Sequence, residues 1–341
     1  MATLPIATHS KNATHPGKAA WQATLSAPLD YPIDIISGEL VSTDARQAFD
    51  PIWGTINTGW GHGSGFLGHP TQKSTAPASM TLTWYSHVEK KFFTGSWNLD
   101  TRRLSHYFNT DYSVRNPYTQ RIHKETYHRF TIGMAPKGHV QLWIGGDNEQ
   151  KEAGTYQAHE IQVRPNALAE DAKYLANPEF LRLVYRDDLD NNAKTQRYLQ
   201  LYGKTTPERL QAWSTPRTWK IVIESTDQQT IHQPAVDILH LINGERIANL
   251  SHPILNYKTD HLAPPELLLI SWSDPQGRRK RIKMHFDAQK IQQAMRTLSA
   301  GNTDIILRVT LSDQQSNAQI MLQAAQEKID PTLLKLEFGY L

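Results

Sequence analysis

The sequence predicts an α+β protein: two related units of antiparallel β-sheet, each carrying a helix, joined by a helical connector. Three observations predict it. Apolar residues alternate with polar ones in short runs bounded by turns, the period of half-buried strands. The order strand, strand, helix, strand, strand occurs twice along the chain. Between the two occurrences, residues 166–215 carry helical rather than alternating patterns. Period-two strands in hairpins, with one helix per unit, point to antiparallel sheets with a helix on one face.

Residues 1–28 are rich in Ala, Thr, His, Pro and Lys and poor in large apolar side chains, and read as a flexible tail. The first unit, 29–165, opens with a strand over Ile33 to Leu40. Met80, Leu82 and Trp84 then alternate with polar residues, and Gly95, Trp97 and Leu99 form the returning strand. That strand runs into Asp100, whose side-chain oxygen can accept the free amides of a first helical turn. Leu99 and Leu104 fit the apolar staple across such a start. A hairpin follows, from Phe130, Ile132 and Met134 through Pro136-Lys137-Gly138 into Val140, Leu142 and Ile144. The connector carries helical patterns at 167–176, 193–201 and 207–213, the last with Pro207 at an early position.

The second unit, 216–341, repeats the order. Trp219 to Glu224 is its leading strand, and Asn243-Gly244 marks a hairpin between 236–242 and 245–250. Leu268, Ile270 and Trp272 alternate, and Ile282, Met284 and Phe286 return into Asp287, with Phe286 and Ile291 as the staple. Ile305 to Leu311 then pairs with Ala318 to Leu322. The matching orders suggest an internal duplication, although few identities survive.

Composition narrows the function. A formal charge of +3 over 341 residues argues against a dedicated nucleic-acid binder. With no cysteine there are no disulfides, thiolate nucleophiles or Cys-based zinc sites. No run is long and apolar enough for a transmembrane helix.

The most unusual stretch is Trp53 to His69, with six glycines, two tryptophans and two histidines. Glycine at that density favours positive-φ turns and close backbone approach, and tryptophan is a large amphipathic anchor. The stretch reads as a recognition loop on a sheet scaffold. It does not match a nucleophile elbow, because His62 and Phe66 stand where that turn around Ser64 needs glycine. Nor is it a P-loop, since no Lys-Ser or Lys-Thr follows its glycines. Asp187 to Asn192 lacks the glycine and the glutamate of a calcium loop. The fifteen histidines form no i, i+4 helical pair, and His123 and His128 lie five apart. Glu149, Glu152 and Glu160 lie near one strand pair, but Asp and Glu are plentiful on any surface and spacing alone singles out none of them for acid–base chemistry. Arg278-Arg279-Lys280-Arg281 is a basic cluster at a hairpin tip, where alternation sends Arg279, Arg281 and Lys283 to solvent.

The segment from Asp30-Tyr31-Pro32 through this loop, with Trp84-Tyr85-Ser86, Phe92-Phe93-Thr94-Gly95 and the run Gly138 to Gly146, resembles the bacterial domain of unknown function 2931 family. The resemblance covers about residues 29–163. It implies a family often exported as lipoproteins, some of whose members are similar to immunity proteins encoded beside type VI secretion lipase effectors. This sequence lacks a lipobox cysteine and a signal segment: as written it reads as cytoplasmic, and as periplasmic if an export signal precedes it. The resemblance supplies no catalytic residues.

The expectation is therefore a non-catalytic binding protein with no cofactor and no metal, an immunity-type inhibitor whose partner is a cognate secreted effector such as a lipase. Trp53, Trp60, His62, Phe66 and His69 are the expected contact residues, with Arg279 and Arg281 steering approach. The alternative is an envelope glycan-binding protein or hydrolase that uses the aromatic loop as a sugar platform.

Overall fold

The computed structural model describes residues 18–49, 54–67, 73–116, 119, 121–225, 232–248, 257–274, 276–299, 304–312, 317–325, 327–330 and 333–340. Strands form where apolar and polar residues alternate, and their inward sets make the cores. The first half contains β1 (Gln22–Ser26), β2 (Ile33–Val41), β3 (Arg46–Phe49), β4 (Ser64–Leu67), β5 (Ser79–Ser86) and β6 (Lys91–Asn98). Then come α1 (Thr101–Phe108), β7 (Asp111–Arg115), β8 (Ile122–Thr126), β9 (Arg129–Ala135), β10 (His139–Gly145), β11 (Glu149–Gln157) and β12 (His159–Ile161).

The connector has 3-10 turns, then α2 (Pro178–Tyr185), a π turn at Arg186–Asp190, α3 (Ala193–Tyr202) and α4 (Pro207–Trp213). The second half begins with β13 (Arg217–Ser225), β14 (His232–Leu241), β15 (Arg246–Ala248), β16 (Tyr257–Leu262), β17 (Pro265–Ser273) and β18 (Arg279–Phe286). It ends with α5 (Ala288–Ser299), β19 (Ile305–Ser312), β20 (Asn317–Ala324), β21 (Glu327–Ile329) and β22 (Leu333–Tyr340).

The architecture is α+β with mostly antiparallel sheets. Both predicted caps are present. Asp100 Oδ1 accepts from the Arg103 amide at 3.0 Å, and Asp287 Oδ1 accepts from the amides of Gln289 and Lys290 at 3.0 and 3.1 Å. The staple residues Leu99, Leu104, Phe286 and Ile291 are buried.

The pairings of the halves run in parallel lists. β2 pairs with β3 and β5, β5 with β6, and β6 with β12; β14 pairs with β15 and β17, β17 with β18, and β18 with β22. β1 lies parallel to β9 and antiparallel to β4, while β13 lies parallel to β19 and antiparallel to β16. By pairing, the counterpart of β13 is thus β1, and that of β2 is β14, one strand away from the alignment read in sequence.

That shift has a cause. β1 lies inside the stretch expected to be a flexible tail, and it is well ordered into the fold. Trp21, Ala23 and Leu25 are buried, Thr24 Oγ1 donates to Thr131 Oγ1 at 3.2 Å, and Ser26 Oγ donates to the Gly59 carbonyl at 2.8 Å. Its inward positions include small and hydroxylic residues, so the hydrophobic alternation is faint.

A second departure concerns layers. Each half buries its strands between two sheets, with the helix packed into the same core, rather than having a helix alone cover one sheet face. In the first half, Ile33, Met80, Leu82 and Trp84 meet Leu25, Ile132, Met134 and Leu142, with Leu104 and Phe108 from α1. In the second, Leu268, Ile270, Ile282 and Met284 meet Ile221, Leu307 and Val309, with Ile291 and Met295 from α5. One sheet belongs to both halves. Its order is β22-β18-β17-β14-β15-β11-β10-β9-β1-β4, joined by Glu149 opposite Ile247 and Gln150 opposite Arg246.

Candidate functional site

The glycine–tryptophan loop is a clasp between the halves. Gly61, at φ +76°, lies against Gly244, at φ +87°; a Cβ on Gly61 would stand 2.5 Å from the Gly244 Cα. Gln150 Nε2 donates to the carbonyls of both glycines, at 2.9 and 2.8 Å, and its Oε1 accepts from Thr131 Oγ1 at 2.9 Å. Trp60 meets the buried Trp143 edge-on at 4.9 Å, and Trp143 Nε1 donates to the Asn243 carbonyl at 3.2 Å. The two glycine turns that stand out in the sequence hold each other.

This corrects the expectation for Trp60. It is 8% exposed and belongs to the core cluster of the second half, so it does not offer an indole to a partner. The His62 ring lies 5.4 Å from that of His240, in the wall of a cleft. Phe66 lies in β4, whose backbone pairs with β1. Trp53 and His69 lie outside the described residues.

The basic hairpin divides. Asp274 accepts from Arg278 Nε at 2.7 Å and from the amides of Gln276 and Arg278, so Arg278 helps to close the turn. Arg279 is half-buried and donates to Ser271 Oγ near Asp237. Arg281 is exposed, while Ile282 and Met284 point into the core.

Register extends this face across the sheet. Leu269 lies opposite Lys283 and Ile238, Leu267 opposite His285 and His240, and Ser271 opposite Arg281; Lys283 in turn faces Glu337. Ile238, Leu267 and Leu269 are half-exposed. With α5 on the opposite face, the outward side has an apolar centre and a mainly basic border.

Next to it, loop 58–62, α3, α4 and the beginnings of β17 and α5 enclose a half-open cleft of about 370 Å³. Glu266 lies in its wall, and burial pushes its carboxyl up to about 7. His62, His240 and His285 line it too. Burial lowers all three imidazoles, His240 to about 3, and the charges of Arg246 and Lys194 add to the lowering at His62. Tyr198 and Tyr202, four apart on α3, lie with ring centroids 5.0 Å apart and planes tilted by 50°. Sequence reading missed Glu266, His240 and His285, because each falls in or beside an alternating strand where a polar residue is ordinary. The Tyr198–Tyr202 spacing was the visible signal.

A third polar cluster lies where β11, α4 and the β14–β15 turn meet. Ser214 Oγ donates to Glu152 Oε1 at 2.8 Å, and the Glu152 amide donates to Glu245 Oε1 at 2.9 Å. Burial, and then the charge of Glu245, raise the Glu152 carboxyl to about 7. Among the described residues, no three His, Asp or Glu side chains converge as a metal site, and no helix is long and apolar enough to cross a membrane.

The fold and these surfaces define an α+β protein with mostly antiparallel sheets. The chain belongs to the DUF2931 family, proteins of unknown function, whose profile matches residues 7–208. That match spans the first half, including β1, and most of the connector. No curated protein and no solved structure matches the chain.

Proposed function

We propose that this is a non-catalytic binding protein, an immunity-type inhibitor that covers a secreted bacterial toxin such as a type VI secretion lipase effector. The observation that supports this reading is the outward face of β14, β17 and β18. Half-exposed Ile238, Leu267 and Leu269 form an apolar centre beside Arg281 and Lys283. Interfaces draw affinity from a desolvated apolar centre and association rate from the charges around it. The complementary partner face is apolar at its centre and acidic at its border.

We also infer that the chain arose by duplication of one unit. The paired lists of strand neighbours, each with a single parallel contact among the described residues, support it. The halves then diverged at the 58–62 loop and the 242–245 turn, which meet at the clasp.

The binding reading is tested by titrating the purified protein with the secreted effector encoded beside its gene. Leu269→Asp is expected to weaken the complex by about 2 kcal/mol or more. Arg281→Glu should mainly slow association and reduce its dependence on salt. Absence of a complex, or equal affinity and rates in both variants, overturns the assignment. Trp60→Ala is a poor probe, because it removes core packing.

A further inference from the structure

We propose that the cleft between loop 58–62, α3 and the β17–β18 strand pair binds a neutral saccharide unit, with Glu266 accepting hydrogen bonds from its hydroxyls. This cleft borders the protein-docking face and shares Leu267 with it, but the proposal does not depend on the toxin reading.

Among the described residues, no side chain hydrogen-bonds or ion-pairs with the Glu266 carboxyl, although it is half-buried. A half-buried carboxyl without protein donors leaves its oxygens open to a ligand that can donate to them. Two adjacent hydroxyls on a sugar ring can serve its two oxygens together.

The remaining wall selects the ligand's charge. Arg246 and Lys194 act on the His62 ring, and Arg246 and Lys283 act on His240, so the surroundings of the imidazoles are positive. A cationic ligand is disfavoured there. An anion meets Glu266 when that group is ionised. The three imidazoles stay neutral, and a neutral imidazole offers one N–H donor and one lone pair, which suits hydroxyls that also do both. Tyr198 and Tyr202 supply aromatic surface for the C–H face of a ring, with Leu29 and Ile242 completing the apolar wall. The volume falls within the range of small-molecule sites and accommodates one or two sugar rings.

The test is tryptophan fluorescence and calorimetry on the full chain, titrated with glucose, galactose, N-acetylglucosamine and their disaccharides, and with choline and inorganic phosphate. At least one saccharide should saturate at millimolar concentration or below, with choline and phosphate silent. Glu266→Gln keeps the shape and removes the charge, and should weaken that saccharide by about tenfold. Tyr198→Phe leaves the ring and should weaken it less than Tyr198→Ala does. Arg281→Glu, on the docking face, should leave saccharide binding unchanged. Saturation by choline or phosphate instead, no saturation by any saccharide, or equal affinity in Glu266→Gln overturns the proposal.

Discussion

At the scale of the residue, the clasp depends on two glycines for different reasons than the other turn glycines. Gly61 and Gly54 both have positive φ, at +76° and +69°, but nothing lies within 4 Å of a Cβ built on Gly54. Gly54→Ala therefore meets only the backbone penalty of the left-handed region, about 1–2 kcal/mol. Gly61→Ala adds a collision with the Gly244 backbone, which cannot rotate away as a side chain does. We expect it to cost about 2–4 kcal/mol. Urea denaturation of both variants checks this: the Gly61 midpoint must fall further than the Gly54 midpoint, and equal losses would mean the turns do not touch. The sequence marks both turns as glycine sites by composition. It carries no sign that they meet, because that contact joins residues 183 positions apart through Gln150, a side chain of no distinctive pattern.

At the scale of the element, the starts of α1 and α5 were legible because capping is local chemistry: an acidic side chain and the next three amides settle it. Asp287 receives two amide hydrogen bonds and sits beside the buried Phe286–Ile291 staple. Asp287→Ala is expected to lower stability by about 1 kcal/mol, with Asp287→Asn retaining much of it. Thermal denaturation of the pair separates loss of the cap oxygen from loss of charge, and an alanine variant as stable as wild type would show that the cap is dispensable. Strands of the hairpins were equally readable, since their alternation is strong at Met80–Trp84 and Leu268–Trp272. β1 was not. Its sequence, QATLS, places Thr24 and Ser26 among buried positions, where hydroxyls bond to Thr131 and Gly59 from other elements. α2 was missed as well, although Asn177 caps it and Pro178 opens it. It is eight residues long, so its apolar residues complete barely two helical turns and show little period.

At the scale of the whole molecule, the ten-stranded sheet makes the halves one mechanical unit, and the acidic cluster beside its junction sets how that unit responds to pH. Glu152 belongs to the first half, Glu245 to the second, and Ser214 to the connector. Burial first, and the Glu245 charge second, hold the Glu152 carboxyl at about 7, against 4.5 for an ordinary glutamate. The folded form thus keeps this proton more tightly than the unfolded chain does. Its stabilising contribution is complete below about pH 4.5 and is lost as pH rises to about 7. The imidazoles of the cleft act in the opposite sense: their lowered pKa values make the unfolded chain take up protons first, so their contribution disappears as pH falls below about 6.5. A wild-type melting curve mixes both trends, whereas a comparison with Glu152→Gln isolates the carboxyl. The amide occupies nearly the same volume and has no proton to lose. Measured from about pH 5 to about pH 8, the melting temperature of Glu152→Gln minus that of wild type should rise steadily, and further ionisation of the pair above that range should add little. A difference that stays flat across the range would show that the two carboxylates do not couple the halves, and would leave the clasp and the shared strands as the forces holding them together.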